Sequence, residues 1–193
     1  MFILAIPLSI LAMWTHLQKL KNKEKSFKMF SAYAWAAHVI IGFLSNGYIT
    51  HPIFLFMIGF SILFVLSETL FVHDYFELGL AGYLIGYIFL SIGFYTFNFD
   101  FGLFIAGSVI LIPGIYLLTK IKISLPVVLY LIVLTFAFMF ACATKNIFFI
   151  LALSSQYLCD FRLGLEKFGK EQIKHNEILV MACQYATFLF LGL

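Results

Sequence analysis

The chain has 193 residues, of which 63% are hydrophobic and 11% charged, and its mean hydropathy is +1.05. Twelve basic and nine acidic residues cannot coat a water-soluble domain of this size, so the composition excludes an ordinary soluble globule. The net charge of +3 gathers in a few connections, which excludes a basic nucleic-acid surface, and the apolar runs are continuous rather than alternating, which excludes barrel strands.

The expected fold is therefore an all-α polytopic membrane protein. Eight apolar segments succeed one another, each approaching the roughly 20 residues that cross the hydrocarbon core. They cover 2–18, 29–46, 53–72, 76–97, 102–119, 124–144, 147–161 and 178–193. The first has no basic stretch before it and no small-residue cleavage site after it, so it reads as a retained helix rather than a signal peptide. The second carries His38, and the third ends in "SETLF", Ser67 to Phe71. The fourth places Gly79, Gly82 and Gly86 at small-residue spacing for close helix packing, with Tyr83 and Tyr87 near mid-membrane. Pro113 and Pro126 are expected to kink or start helices. The seventh segment is the shortest, and its polar "SSQY" centre should face inward. Cys142, Cys159 and Cys183 lack paired spacing and read as reduced, buried thiols. Short connections and the absence of any linker give one integral membrane domain over 1–193.

Charge sets the expected orientation. Lys19, Lys21, Lys23, Lys25 and Lys28 fall in the first connection, Lys120 and Lys122 in the fifth, and Arg162, Lys167, Lys170 and Lys174 in the seventh. Eleven of the twelve basic residues thus lie on odd-numbered connections, Lys145 being the exception. Those connections should be cytoplasmic, with both termini outside.

Two acids interrupt the apolar pattern. Glu68 lies about 22 Å into the third segment and Asp160 about 20 Å into the seventh, both counted from the same membrane face. A carboxylate there costs several kcal/mol (~3 or more) unless it is paired, hydrated or protonated. Two at one depth suggest a shared polar cavity opening towards the cytoplasm, with Tyr87 and Gln156 as neighbours. The alternative is that each acid marks a helix end within reach of water, most simply for Asp160, which precedes a charged connection. His38, Tyr83 and Tyr87 are either interhelical hydrogen-bond partners or part of a site, and Gln156 and Gln184 either join helices or line the cavity. No metal-ligand spacing, phosphate-binding glycine loop or nucleophile elbow occurs.

At these residues the chain resembles the YhhN-type lysoplasmalogenases, small eight-span membrane enzymes. That family carries G-D-x-x-L at the end of its third span, where this chain has "SETLF" with Glu68 in place of Asp. It continues with F-x-x-G-L, matched by "FELGL" (Phe76 to Leu80), and then Gly-His, where Gly86 and Tyr87 stand here. The family's S-D-x-x-L-A-x-x-x-F corresponds to "CDFRLGLEKF", which keeps Asp160, Leu163 and Phe168, and its late Ala-Gln pair resembles "CQY", Cys183 to Tyr185. "SETLF" and "CDFRL" also close segments four apart, a faint sign of two pseudo-repeated four-helix halves.

The resemblance implies hydrolysis of the vinyl-ether bond of a lysoplasmalogen (lysoplasmenyl-ethanolamine or -choline) to a fatty aldehyde and a glycerophospho-base. It implies Glu68 and Asp160 as the catalytic acid pair, and the polar residues of the segments, Tyr83, Tyr87, Gln156, Gln184 and His38, are then the expected surroundings of the substrate. The chemistry asks for a general acid to protonate the vinyl carbon and a carboxylate to stabilise the oxocarbenium-like cation, as in glycosidases. It requires no metal or other cofactor. The expected partners are the lysophospholipid substrate and membrane lipids, with no nucleic acid and no protein partner, in a bacterial cytoplasmic membrane. The competing reading is a non-catalytic lipid-binding membrane protein or small transporter, which would also use intramembrane acids and a repeat. Against a transporter stand the absence of a clearly broken helix in the sequence and acids placed towards one face.

Overall fold

The computed structural model describes residues 2–22, 25–97, 99–120, 124–169 and 176–193, and all regular structure among them is helical. The long helices are α1 (Phe2–Asn22), α2 (Lys25–Ser45), α3 (Pro52–Val72) and α4 (Phe76–Tyr95), then α7 (Leu125–Ala143), α8 (Ile147–Gly169) and α9 (Asn176–Leu191). Between α4 and α7 lie two short ones, α5 (Phe101–Ala106) and α6 (Leu111–Lys120), joined by a 3₁₀ turn at Gly107–Ile110. Hydrocarbon offers no partner to a bare peptide group, so an apolar chain satisfies its own N–H and C=O groups by coiling.

Local chemistry sets several ends. Pro52 opens α3 and Pro126 is the second residue of α7, positions where the missing N–H costs nothing. His51 accepts from the Ile53 amide at 3.2 Å, and Asp100 caps α5 by accepting from Leu103 at 3.1 Å. Asp74 and Lys145 turn the chain into α4 and α8 with left-handed φ of 67° and 60°. That conformation costs an L-residue roughly 1 kcal/mol. Each is also held by an ion pair, Asp74 to Lys25 at 3.0 Å and Lys145 to Asp100 at 2.9 Å, so both turns are tied at their side chains.

Five helical stretches, Lys25–Ser45, Pro52–Val72, Phe76–Tyr95, Leu125–Ala143 and Ile147–Glu166, are long and apolar enough to cross a membrane. Ile6–Thr15, Phe101–Tyr116 and Glu177–Leu191 are shorter apolar stretches. The protein is an integral membrane protein of the helical class, and large apolar side chains such as Leu55, Ile62, Ile112 and Leu125 point outward where a soluble protein would place charge. Inside, α3 packs on α4, α4 on α7, α8 on α9, and α2 on α1, α3 and α9. The core is aromatic: Phe60, Phe64, Tyr87, Phe94, Phe149 and Phe188 are all buried. Polar side chains among them mostly bond their own helix, as Ser67 does to the Leu63 carbonyl, Ser91 to Tyr87 and Thr135 to Leu131.

The glycines of α4 do permit close packing. A methyl added at Gly82 would lie 2.3 Å from Ser67 Oγ, and one at Gly79 2.8 Å from the Phe71 ring. Three expectations need revision. The segment expected over 102–119 is broken, because the 3₁₀ turn at Gly107–Ile110 tightens the chain where Gly107 meets the Met139 backbone and Cys142. The helix of the seventh segment continues to Gly169, so Asp160 lies inside α8 and marks no helix end. Lys19 and Lys21 belong to the end of α1, Lys25 and Lys28 to the first turns of α2, and Arg162 and Lys167 to α8, rather than to loops. Lys23, Lys122, Lys170 and Lys174 lie outside the described residues.

Two tests follow from this packing. A methyl at Gly42 would lie 2.0 Å from the Gly192 carbonyl oxygen, backbone against backbone. Gly42→Val should therefore prise α2 from the end of α9 and lower stability by about 1–3 kcal/mol, read as a melting shift in detergent. At the other exposed pair, the Lys145 ammonium and the Leu103 amide hold the Asp100 carboxyl below its ordinary 3.8. A depressed folded pKa gives stability that is present above 3.8 and lost as pH falls through the lower folded value. Melting measured from pH 6 down to about 2 should show a shallower acid decline in Asp100→Asn, which keeps the cap and loses the ion pair; an unchanged slope would contradict this.

Candidate functional site

Glu68 sits one turn from the end of α3, with its side chain turned inward and buried. Helical phase puts it opposite Tyr83, whose hydroxyl donates to Glu68 Oε1 at 2.5 Å. The other oxygen, Oε2, meets Lys28 Nζ at 2.8 Å from the first turn of α2. Lys28 also lies over the Phe71 ring, 5.6 Å from its centroid, so its stem and charge are both accommodated.

Asp160 has a different environment. Tyr130, six residues into α7, donates its hydroxyl to Asp160 Oδ2 at 2.5 Å, and the Gln156 amide donates to the same oxygen at 3.0 Å from one turn earlier on α8. Among the described residues no cation pairs with Asp160, whereas Glu68 has one. Asp160 is also only partly buried, so part of its surface remains reachable.

Three tyrosines join the two acids. Tyr83 and Tyr87 stack at 6.2 Å along α4, and Tyr130 meets both edge-on, at 6.4 Å and 5.9 Å. The order is Lys28, Glu68, Tyr83, Tyr87 and Tyr130, Asp160, Gln156, drawn from α2, α3, α4, α7 and α8. Each carboxylate thus receives a hydroxyl donor from a different member of a single aromatic cluster. Such charge-assisted hydrogen bonds are worth roughly 1.5–3 kcal/mol each, which offsets much of the cost of removing the acids from water.

The structure brings together Glu68, Asp160, Tyr83, Tyr87 and Gln156 among the residues singled out from sequence. Two others stand on helices other than those that carry the tyrosines. His38 is buried on α2 against Trp35 and lies 3.5 Å from the Leu189 carbonyl, beside Gly192 near the chain's end. Gln184 is half-buried on α9, which packs on α8, the helix of Asp160 and Gln156, and also on α2 and α1. Sequence reasoning missed Lys28 and Tyr130. A hydroxyl in the otherwise apolar "LPVVLYLIVL" was the available signal for Tyr130. Lys28 was hidden among four other lysines of the first connection. The described residues hold no group of three His, Cys, Asp or Glu side chains that could bind a metal.

No protein-family model, no curated protein and no solved structure matches this chain. The centre must therefore be judged on its own chemistry, which is that of two inequivalent carboxyl groups. One is bound by an ammonium and a phenol, the other by two neutral donors.

The ion pair can be tested directly. Lys28→Met would leave Glu68 buried with Tyr83 as its remaining partner and should cost about 1–3 kcal/mol, less than a fully buried pair because Lys28 is partly exposed. Adding Glu68→Gln should restore part of that loss. A coupling energy below about 0.5 kcal/mol in the double-mutant melting cycle would show that the contact contributes nothing.

Proposed function

We propose that the protein hydrolyses the vinyl-ether bond of a lysoplasmalogen, releasing a fatty aldehyde and a glycerophospho-base, as a membrane enzyme of eight spans with both termini outside. The observation that carries this reading is the meeting of Glu68 and Asp160 at one tyrosine cluster, although they come from helices far apart in sequence. The short motifs around them, "SETLF", "FELGL" and "CDFRLGLEKF", add the resemblance to YhhN-type lysoplasmalogenases.

In this mechanism Asp160, touched among the described residues by neutral donors only, gives its proton to the vinyl carbon next to the ether-bearing carbon. The electron pair of the double bond forms the new C–H bond, and the positive charge is shared by the ether oxygen and its carbon. Glu68, fixed by Lys28, supplies the negative charge that stabilises this cation, and water adds to the charged carbon as its proton passes to a carboxylate. The resulting hemiacetal collapses to aldehyde and alcohol. Tyr130 and Gln156 orient Asp160, and Tyr83 orients Glu68. The two carboxyl groups divide the work of acid and charge stabiliser through their different partners.

The broken segment gives the transporter reading one supporting observation, since discontinuous helices often line transport sites. Here, however, the break meets α7 at Met139, about 14 Å along that helix from Tyr130. It therefore does not border the carboxylates.

Purified protein incubated with a lysoplasmalogen should release aldehyde. Asp160→Asn and Glu68→Gln should each reduce turnover by roughly 10²–10⁴-fold without unfolding the protein. Glu68→Asp tests whether a shorter carboxylate still reaches. A saturated-ether analogue, which cannot be protonated at carbon to give the cation, should bind and remain intact. Normal turnover in both neutralised variants would make the carboxylates structural.

A further inference from the structure

A groove of about 480 Å³ runs along the outside of the bundle between α4 and α7. Ile88, Ile92 and Tyr95 form one wall, and Val133, Phe136 and Phe140 form the other. Ser91 at its floor turns its hydroxyl onto the Tyr87 carbonyl at 2.7 Å, so that polar group is satisfied on its own helix. Ile88 follows Tyr87 directly on α4, and Val133 lies one turn beyond Tyr130 on α7. Along the helix axes the groove therefore begins at the level where the tyrosine cluster ends, on the outer face of the helix pair. It continues for about 10 Å away from Lys28 and towards the end of the bundle that carries Lys145 and Asp100.

We propose that this groove seats the hydrocarbon chain of a single-chain lipid whose polar end lies at the Glu68–Asp160 centre; the identity of that lipid rests on the hydrolase reading above. The charge layout matches an amphiphile laid along α4 and α7, with a cation and hydrogen-bonding groups at one end and only hydrocarbon at the other. A second copy of the chain fits less well, because seven side chains over about 10 Å fall far short of the roughly 800 Å² per partner that a stable interface buries. Bilayer chains are as apolar as the groove walls, so transfer into it gains little by hydrophobicity. What the groove supplies is register: it fixes which part of the chain stands beside the tyrosines. A chain seated there presents its first carbons, those of the scissile bond, to Asp160.

The test uses a non-cleavable saturated-ether lysolipid with a photoreactive diazirine midway along its chain, bound to the full-length protein in nanodiscs. Label should concentrate on Ile88–Tyr95 and Val133–Phe140 and be competed away by unlabelled lysolipid. Val133→Trp and, as a second variant, Ile92→Trp should each reduce that labelling about tenfold while eluting as the wild-type protein does. Label spread evenly over outward residues such as Ile10 and Trp14 of α1, or unchanged labelling in both variants, would overturn the groove. Aldehyde release is scored separately. A labelled groove without turnover retains the chain site and removes the reaction, whereas turnover with an unlabelled groove removes the chain site alone.

Discussion

A carboxylate surrounded by helices must find partners or give up its charge, and this requirement fixes the position of α2, α3, α4, α7 and α8 relative to one another. Glu68 needs Lys28 from α2 and Tyr83 from α4. Asp160 needs Tyr130 from α7 and Gln156 from its own helix. Apolar packing between helices in a bilayer is only weakly directional, because lipid competes on equal terms with leucine. The hydrogen bonds to the two acids are directional. They select one rotation of each helix about its axis, and the glycines of α4 then let that arrangement close to contact.

The aromatic cluster has a second consequence for the centre. Tyr83 and Tyr87 are buried and each carries its hydroxyl among aromatic neighbours, including Phe60, Phe64 and Phe71. Tyrosine suits this place because its ring packs like phenylalanine while its hydroxyl, at Tyr83 and Tyr130, donates to an acid. The cluster therefore belongs to the hydrophobic core and to the polar centre at once. Replacing any one of these rings would alter both packing and charge.

Much of this architecture was legible in the sequence, because a continuous apolar run has few ways to satisfy its backbone. The starts at Pro52 and Pro126 and the tight α3–α4 packing follow from residue type alone. The two acids were visible for the same reason, as charges in hydrocarbon-like surroundings. Their partners were harder to see. Lys28 reads as one lysine among several until the turn into α2 is known to place it opposite the end of α3, and Tyr130 has no distinguishing spacing. His38 and Gln184 illustrate the converse point, since a polar residue in an apolar helix identifies an inward face without saying which neighbour it meets. The break at Gly107–Ile110 escaped because the glycine lies within an uninterrupted apolar run, and only the close approach of Met139 shows why the chain tightens there.

That break bears on how the protein is made. α5, the 3₁₀ turn and α6 run on without a gap over Phe101–Lys120, but the tightened turn interrupts the regular helix, and this stretch falls short of the long apolar helices on either side. Both α5 and the 3₁₀ turn pack on α7, the first long helix to follow them in the chain. During synthesis the Phe101–Lys120 stretch has no packed surface to join until Leu125–Ala143 has left the ribosome. The two are then expected to enter the lipid together as a hairpin, one strongly apolar rod carrying in its weaker predecessor.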